Sequence, residues 1–106
     1  MTDHASRKDS PLTEITSKAI EIGASELEIE NKDGYEEIFA MQGGIGFAIA
    51  RLEASTEEAT LLREELYKIE KSKGRRITAA GARHTVQVEI FESFGEDLFQ
   101  VTLEEI

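Results

Sequence analysis

Residues 22–30 read "IGASELEIE" and mark the place where the chain changes from helix to strand. Before this stretch, apolar residues recur at intervals of three and four, as on one face of a helix: Leu12, Ile15, Ala19 and Ile22. Gly23 then stands where helices commonly end. Between residues 26 and 30, glutamates alternate strictly with Leu27 and Ile29, which is the period of a strand with one buried face. The junction therefore predicts a helix over 11–22 followed directly by a half-buried strand.

Outward from this junction, turn signals and apolar periods predict five further strands and a second helix. The sequence "NKDG" at 31–34 is a tight-turn signal between two strands. Residues 43–50, "GGIGFAIA", favour a third strand with only small side chains on one face, which would let a helix or another subunit approach closely. Ser55 and Glu58 form a capping box that opens a helix over 55–74. Strands follow at 75–79, at 83–91 and in the returning segment "LFQVTLEEI".

The element order is thus α-β-β-β-α-β-β-β, with hairpins joining neighbouring strands. Such hairpins imply a mostly antiparallel sheet, and two amphipathic helices would cover one of its faces. The sequence therefore predicts an α+β two-layer sandwich. Residues 1–10 are predicted to be a disordered lead-in, and residues 11–106 a single domain of a length that folds without disulfides.

Composition excludes several classes of partner. The chain has 106 residues and a net charge of −10, which disfavours nucleic acid and anionic membrane surfaces as partners. Its longest apolar run, at 45–50, is far too short to insert into a membrane. The absence of cysteine and of an apolar leader suits a protein of the cytoplasm, which is the predicted location.

No residue pattern predicts an enzyme, a cofactor site or a metal site. The two histidines, His4 and His84, stand far apart in the sequence, and neither has a second ligand at helical spacing. No Gly-x-Ser-x-Gly elbow is present, and the glycines at 43–46 do not complete a phosphate-binding loop. Carboxylates are too numerous for any pair to stand out as an acid and a base. We therefore expect no catalytic, cofactor-binding or metal-binding residue.

One charge asymmetry predicts an interaction surface. Acidic residues concentrate in the first hairpin and basic residues follow the second helix: Glu26, Glu28 and Glu30 against Lys71, Lys73, Arg75, Arg76 and Arg83. Such a molecule could associate head-to-tail or dock on a partner of complementary charge. The alternative interpretation is a solvated strand face together with the usual bias of basic residues toward the end of a helix.

Part of the chain resembles a known family. "AIEIGASELEIE" at 19–30 is similar to the "GASDIHIE" signature that precedes the motor domain of type II secretion and type IV pilus assembly ATPases. The elements that follow match that pre-motor domain in order, "GRRI" resembles its "DGRI", and "FGEDLFQVTL" resembles its last hairpin. The resemblance covers residues 11–104 and implies a PAS-like α+β fold.

The departures from the family limit what the resemblance implies. Glu28 replaces the family histidine, the arginines typical of two strands are missing from "EEIFAMQGG" and "EDLFQVTL", and the motor motifs are absent. The resemblance therefore implies a non-catalytic interaction or adaptor domain that binds secretion or pilus assembly components, or associates with itself. The alternative hypothesis is a PAS-like sensor of a small ligand, with Phe39, Phe47 and Phe99 lining its pocket.

Overall fold

The computed structural model describes residues 10–93 and 95–106, with the side chain of residue 93 left out. It contains two helices and one six-stranded antiparallel sheet, so the predicted α+β class is confirmed. The elements in chain order are α1 (Pro11–Glu21), β1 (Glu26–Lys32), β2 (Tyr35–Gln42), β3 (Ile45–Glu53), α2 (Glu57–Ser72), β4 (Arg75–Ala79), β5 (Ala82–Ser93) and β6 (Glu96–Glu105).

Both helices begin at a hydroxyl cap. Ser10 accepts a hydrogen bond from the backbone N–H of Thr13 at 3.1 Å, so it belongs to the folded domain, while residues 1–9 of the predicted lead-in lie outside the described residues. The predicted cap at Ser55 is wrong by one residue. Thr56 is the cap of α2, because its hydroxyl both accepts from the N–H of Ala59 and donates to the carbonyl of Glu53.

The sheet has the strand order β3-β2-β1-β6-β5-β4, so β3 and β4 are its two edges. Three of its hairpins turn through two residues that both have positive φ, at 33–34, 43–44 and 80–81. This geometry matches the right-handed twist of paired strands and favours glycine. Four of the six turn positions are glycine, and the other two, Asp33 and Ala80, adopt the left-handed backbone conformation with φ of 53° and 52°.

A single core joins both helices to the sheet. Its buried side chains come from α1, α2 and alternate positions of β1, β2, β5 and β6: Leu12, Ile15, Ala19, Leu27, Ile29, Ile38, Ala40, Leu62, Leu66, Ile69, Val86, Val88, Phe99, Val101 and Leu103, with Ala24 of the α1–β1 junction. The start of β3 contributes little, since Ile45 and Phe47 remain 62% and 46% exposed. Among the described residues, no helix is long and apolar enough to cross a membrane.

Candidate interaction surface

Glu26, Glu28 and Glu30 project from one face of β1, opposite the buried Leu27 and Ile29. We call this side of the sheet the glutamate face. Residues two apart on a strand are separated by about 6.6 Å, so the three carboxylates form a regular row. All three side chains are partly exposed, and β1 lies at the centre of the sheet between β2 and β6.

The cross-strand neighbours of this row leave its charge largely uncompensated. Glu28 lies opposite Phe39 and Gln100, and Glu30 lies directly opposite Glu37 on β2. Like charges in directly opposed positions destabilise a strand pair. Arg51 pairs with Glu37 at 3.5 Å and relieves part of this repulsion. Glu26, Glu28 and Glu30 have no ion-pair partner among the described residues.

The structure divides the predicted basic residues into two groups. Arg76 and Arg83 lie opposite Thr85 and Thr78, positions that the register places on the glutamate face. The other group stands at the connection between α2 and β4: Lys71, Lys73 and Arg75. Two strands, β6 and β5, separate β1 from β4, so the acidic row and the arginines share a face without being paired.

Arg75 lies on the opposite side of β4 from Arg76. It faces Val86 in the ladder, on the core side, and pairs with Glu65 of α2 at 3.2 Å. This pair borders a groove of about 690 Å³ between the start of α1 and α2. The charged lining residues are mostly acidic: Glu14, Glu57, Glu58, Glu64, Glu65, Lys68 and Arg75.

An ion pair between a buried glutamate and a partly exposed arginine is the main polar feature that the sequence did not reveal. Glu36 is 1% exposed, accepts from Arg63 of α2 at 2.7 Å and from the Asn31 side chain at 2.9 Å. The alternation of β2 was the one sequence signal for its burial, because Glu36 lies on the same side of the strand as the buried Ile38 and Ala40. A buried carboxylate is held only when paired and hydrogen-bonded, so this cluster fixes α2 to the first hairpin.

The same cluster borders a cavity of about 310 Å³ that reaches Tyr67 and Asp97. The hydroxyl of Tyr67 donates to the carboxylate of Asp97, and its ring meets Phe99 edge-on at 5.2 Å between centroids. The hydrogen bond to Asp97, together with burial, raises the pKa of Tyr67 to about 12. Tyr67 therefore stays protonated through the physiological range and ties α2 to β6.

The three phenylalanines proposed to line a ligand pocket do not converge. Phe39 lies on the glutamate face opposite Glu28, Phe99 is buried in the core, and Phe47 is exposed at the edge of the sheet. His84 is buried and its Nδ1 lies 3.1 Å from the carbonyl oxygen of Ala82. Within the described part of the chain, no group of three or more acidic or histidine side chains could hold a metal ion.

Comparison with known proteins gives one line of support for the fold. No protein-family model matches the chain, and no curated protein matches it significantly. Among solved structures, the X-ray structure of the Legionella pneumophila ATPase DotB is similar, with a TM-score of 0.50 and 22% sequence identity. The match covers 93% of this chain and 30% of that chain, so it concerns the fold of a minor part of DotB.

Proposed function

We propose that this chain is a non-catalytic protein–protein interaction domain, the counterpart of the pre-motor domain of secretion and pilus assembly ATPases. The fold similarity to the ATPase DotB and the "IGASELEIE" junction at 22–30 support this assignment. The proposal includes the finer architecture, a PAS-like two-layer sandwich in which both helices cover one sheet face and the glutamates occupy the other.

The observation that carries the proposal is the carboxylate row of the glutamate face, which has no ion-pair partner within the ranges that the structure describes. Glu26, Glu28 and Glu30 stand on the central strand, where the surrounding sheet holds them in a fixed spacing. The direct opposition of Glu30 to Glu37 costs stability, and a partner that presents lysine or arginine side chains would remove this cost on binding. We propose that this partner is a secretion or pilus assembly component.

The proposed role involves no chemistry by the chain itself. The sequence has no Gly-Lys-Ser/Thr phosphate loop. The stretches "EEIFAMQGG" and "EDLFQVTL", which correspond to strands that bear arginines in the family, contain no arginine. We therefore expect the purified chain to release no phosphate from ATP above a buffer control. Turnover that survives repurification of the chain would contradict the non-catalytic assignment.

Affinity capture with a charge-reversed variant tests the proposal. The chain is immobilised and exposed to a native lysate of its source cells, and captured proteins are identified by mass spectrometry. We expect enrichment of an assembly ATPase or a pilus-platform component, and loss of that protein when Glu26, Glu28 and Glu30 are all changed to lysine. Binding should weaken as salt rises, because the Debye length falls to about 8 Å at 0.15 M and about 3 Å at 1 M.

A matched control carries the same change in charge on α2, with Glu58, Glu64 and Glu70 changed to lysine; all three are exposed. This variant should retain the captured partner. If it loses the partner while the β1 variant keeps it, the groove between the helices is the binding surface and the glutamate face is not. If neither form captures an assembly component, the proposed function is wrong.

A further inference from the structure

The outer edge of β3 is a long strand edge with no partner strand in the described chain. β3 has nine residues and pairs with β2 alone. An edge strand presents unpaired backbone N–H and C=O groups, and proteins usually protect such edges with charge, proline or short length. Residues 43–50, "GGIGFAIA", contain neither a charged residue nor a proline.

The start of β3 also carries two of the exposed large apolar side chains of the described surface. Ile45 is 62% exposed and Phe47 46%. Ile22, which is 47% exposed, lies beside them, because its carbonyl accepts a 2.6 Å hydrogen bond from Gln42, the residue opposite Ile45 in the ladder. Apolar side chains and unpaired backbone groups thus occur together at one corner of the sheet.

This edge can pair with itself. If two copies meet about a two-fold axis perpendicular to the sheet and centred on Phe47, directly opposed residues lie on the same face. Phe47 then faces Phe47 of the second copy, Gly46 faces Ala48, and Ile45 faces Ile49. Every pair is apolar or small, and no charged residue opposes another. The register ends at Ile49, where the ladder between β2 and β3 is interrupted by a bulge.

The absence of charge in residues 43–50 favours a second copy of the chain over a charged protein as the partner of β3. The chain carries a net charge of −10, and the row of Glu26, Glu28 and Glu30 and the mostly acidic groove between the helices each repel the same surface of a second copy. The uncharged segment 43–50 is where two copies can approach with the least repulsion. A basic partner finds no counter-charge there.

We propose that the chain self-associates by antiparallel pairing of β3 with β3 of a second copy, forming a continuous twelve-stranded sheet centred on Phe47. The proposal deepens the proposed function, on which it rests, by naming one partner of the interaction domain and the surface it uses. A five-residue edge buries less than the about 800 Å² per partner of a standard interface, so the dimer is weak and requires concentrated protein.

Cysteine crosslinking tests the register, since the chain has no cysteine of its own. Single-cysteine variants at Ile45, Phe47 and Ala48 are oxidised at high protein concentration and the covalent dimer is quantified by gel. A disulfide needs Cα atoms about 4.4–6.8 Å apart, a separation that only residues directly opposed across the axis provide. We expect the yield to be highest for F47C, lower for A48C and lowest for I45C, with L61C as a control of equal exposure on α2.

Sedimentation equilibrium on the unoxidised chain supplies the second measurement. The Phe47→Lys variant should weaken association about tenfold or more, because two like charges would then oppose each other at the axis. The Leu61→Lys control, which adds the same charge at a side chain 47% exposed, should leave association unchanged. Circular dichroism and urea denaturation of both variants verify that the fold is intact.

Salt separates this proposal from the proposed function. Dimerisation through β3 should strengthen with added salt, which screens the repulsion between two chains of charge −10, whereas capture through the glutamate face should weaken. A monomer at all salt and protein concentrations would overturn the β3 proposal and leave the captured partner unaffected. Crosslinking that peaks at L61C, or dimers that Phe47→Lys leaves intact, would also overturn it, as would a different protein strand found paired with β3.

Discussion

The two edges of the sheet differ in how well they are protected against pairing with a strand of another chain. β4 is five residues long, carries Arg75 and Arg76, and is packed against α1, with the N–H of Ala80 at its end donating to the Ser17 hydroxyl at 3.2 Å. β3 is nine residues long, begins with exposed Ile45 and Phe47, and has no charge before Arg51. Short length, charge and closer packing against α1 protect β4, whereas β3 is longer, has no charge in its first half and is packed less closely against α1.

The edges also differ in how α2 is attached to the sheet near them. On the β3 side, Arg63 reaches the fully buried Glu36 of the neighbouring strand β2 at 2.7 Å. On the β4 side, Arg75 and Glu65 pair at 3.2 Å with the arginine 38% exposed. The more buried of the two ion pairs therefore lies on the β3 side of the sheet, where Glu36 is opposite Leu52 near the end of β3.

Removing Arg63 should produce the largest effect of the changes that address this contrast. Arg63→Ala leaves Glu36 buried with only the Asn31 side chain as a donor, and we expect the free energy of unfolding to fall by about 2–3 kcal/mol. Urea denaturation monitored by circular dichroism measures the loss. The double variant Glu36→Leu with Arg63→Met should recover most of it, because no buried charge remains. A loss under about 1 kcal/mol for Arg63→Ala would show that the pair does not anchor this side.

Substitutions in the turns next to the two edge strands should change the free energy of unfolding by smaller amounts. Gly44 precedes β3 with φ of 83°, and a methyl group added at its Cα atom would meet open space, whereas Ala80 follows β4 with φ of 52°. Gly44→Ala should cost about 1 kcal/mol, because a left-handed conformation strains any residue with a Cβ atom. Ala80→Gly should relieve the same strain and change the free energy of unfolding by less than the glycine substitution does. Equal losses in both variants, measured by thermal denaturation, would contradict this explanation.

Local sequence signals were sufficient for the elements and insufficient for the edges. The helix stop at Gly23, the Asp33-Gly34 turn and the strict alternation of β1 each follow from the conformational preference of a few neighbouring residues, and each is found in the structure. Which strand becomes an edge depends on the pairing of β1 with β6, residues more than sixty positions apart. That pairing leaves β3 at the edge of the sheet with Phe47 exposed. The spacing of apolar residues within a short segment does not predict which strands pair over such distances.

The interaction surface shows the same division. The alternation of residues 26–30 correctly predicted a row of glutamates on one face of β1. The basic residues were adjacent in sequence, but Arg75 and Arg76 point to opposite sides of β4, so strand geometry splits the cluster. The pairing of Glu36 with Arg63 joins two elements through tertiary packing, and only the buried phase of β2 hinted at it.

The smallest effect is expected at the protected edge. Arg75→Ala removes an ion pair in which the arginine is 38% exposed and Glu65 17%, and pairs open to solvent contribute about 0.2–1 kcal/mol that salt screens further. We expect a loss of about 0.5 kcal/mol in low salt that disappears in 1 M NaCl, measured by urea denaturation at both salt concentrations. Glu65→Gln should give the same small loss, and the double variant should add nothing to it. A loss above about 1.5 kcal/mol would mean that this pair, and not the packing of α1 against β4, holds the β4 edge in place. In that case an ion pair would hold each edge in place, and the packing of α1 against β4 would no longer explain why β4 is the protected edge.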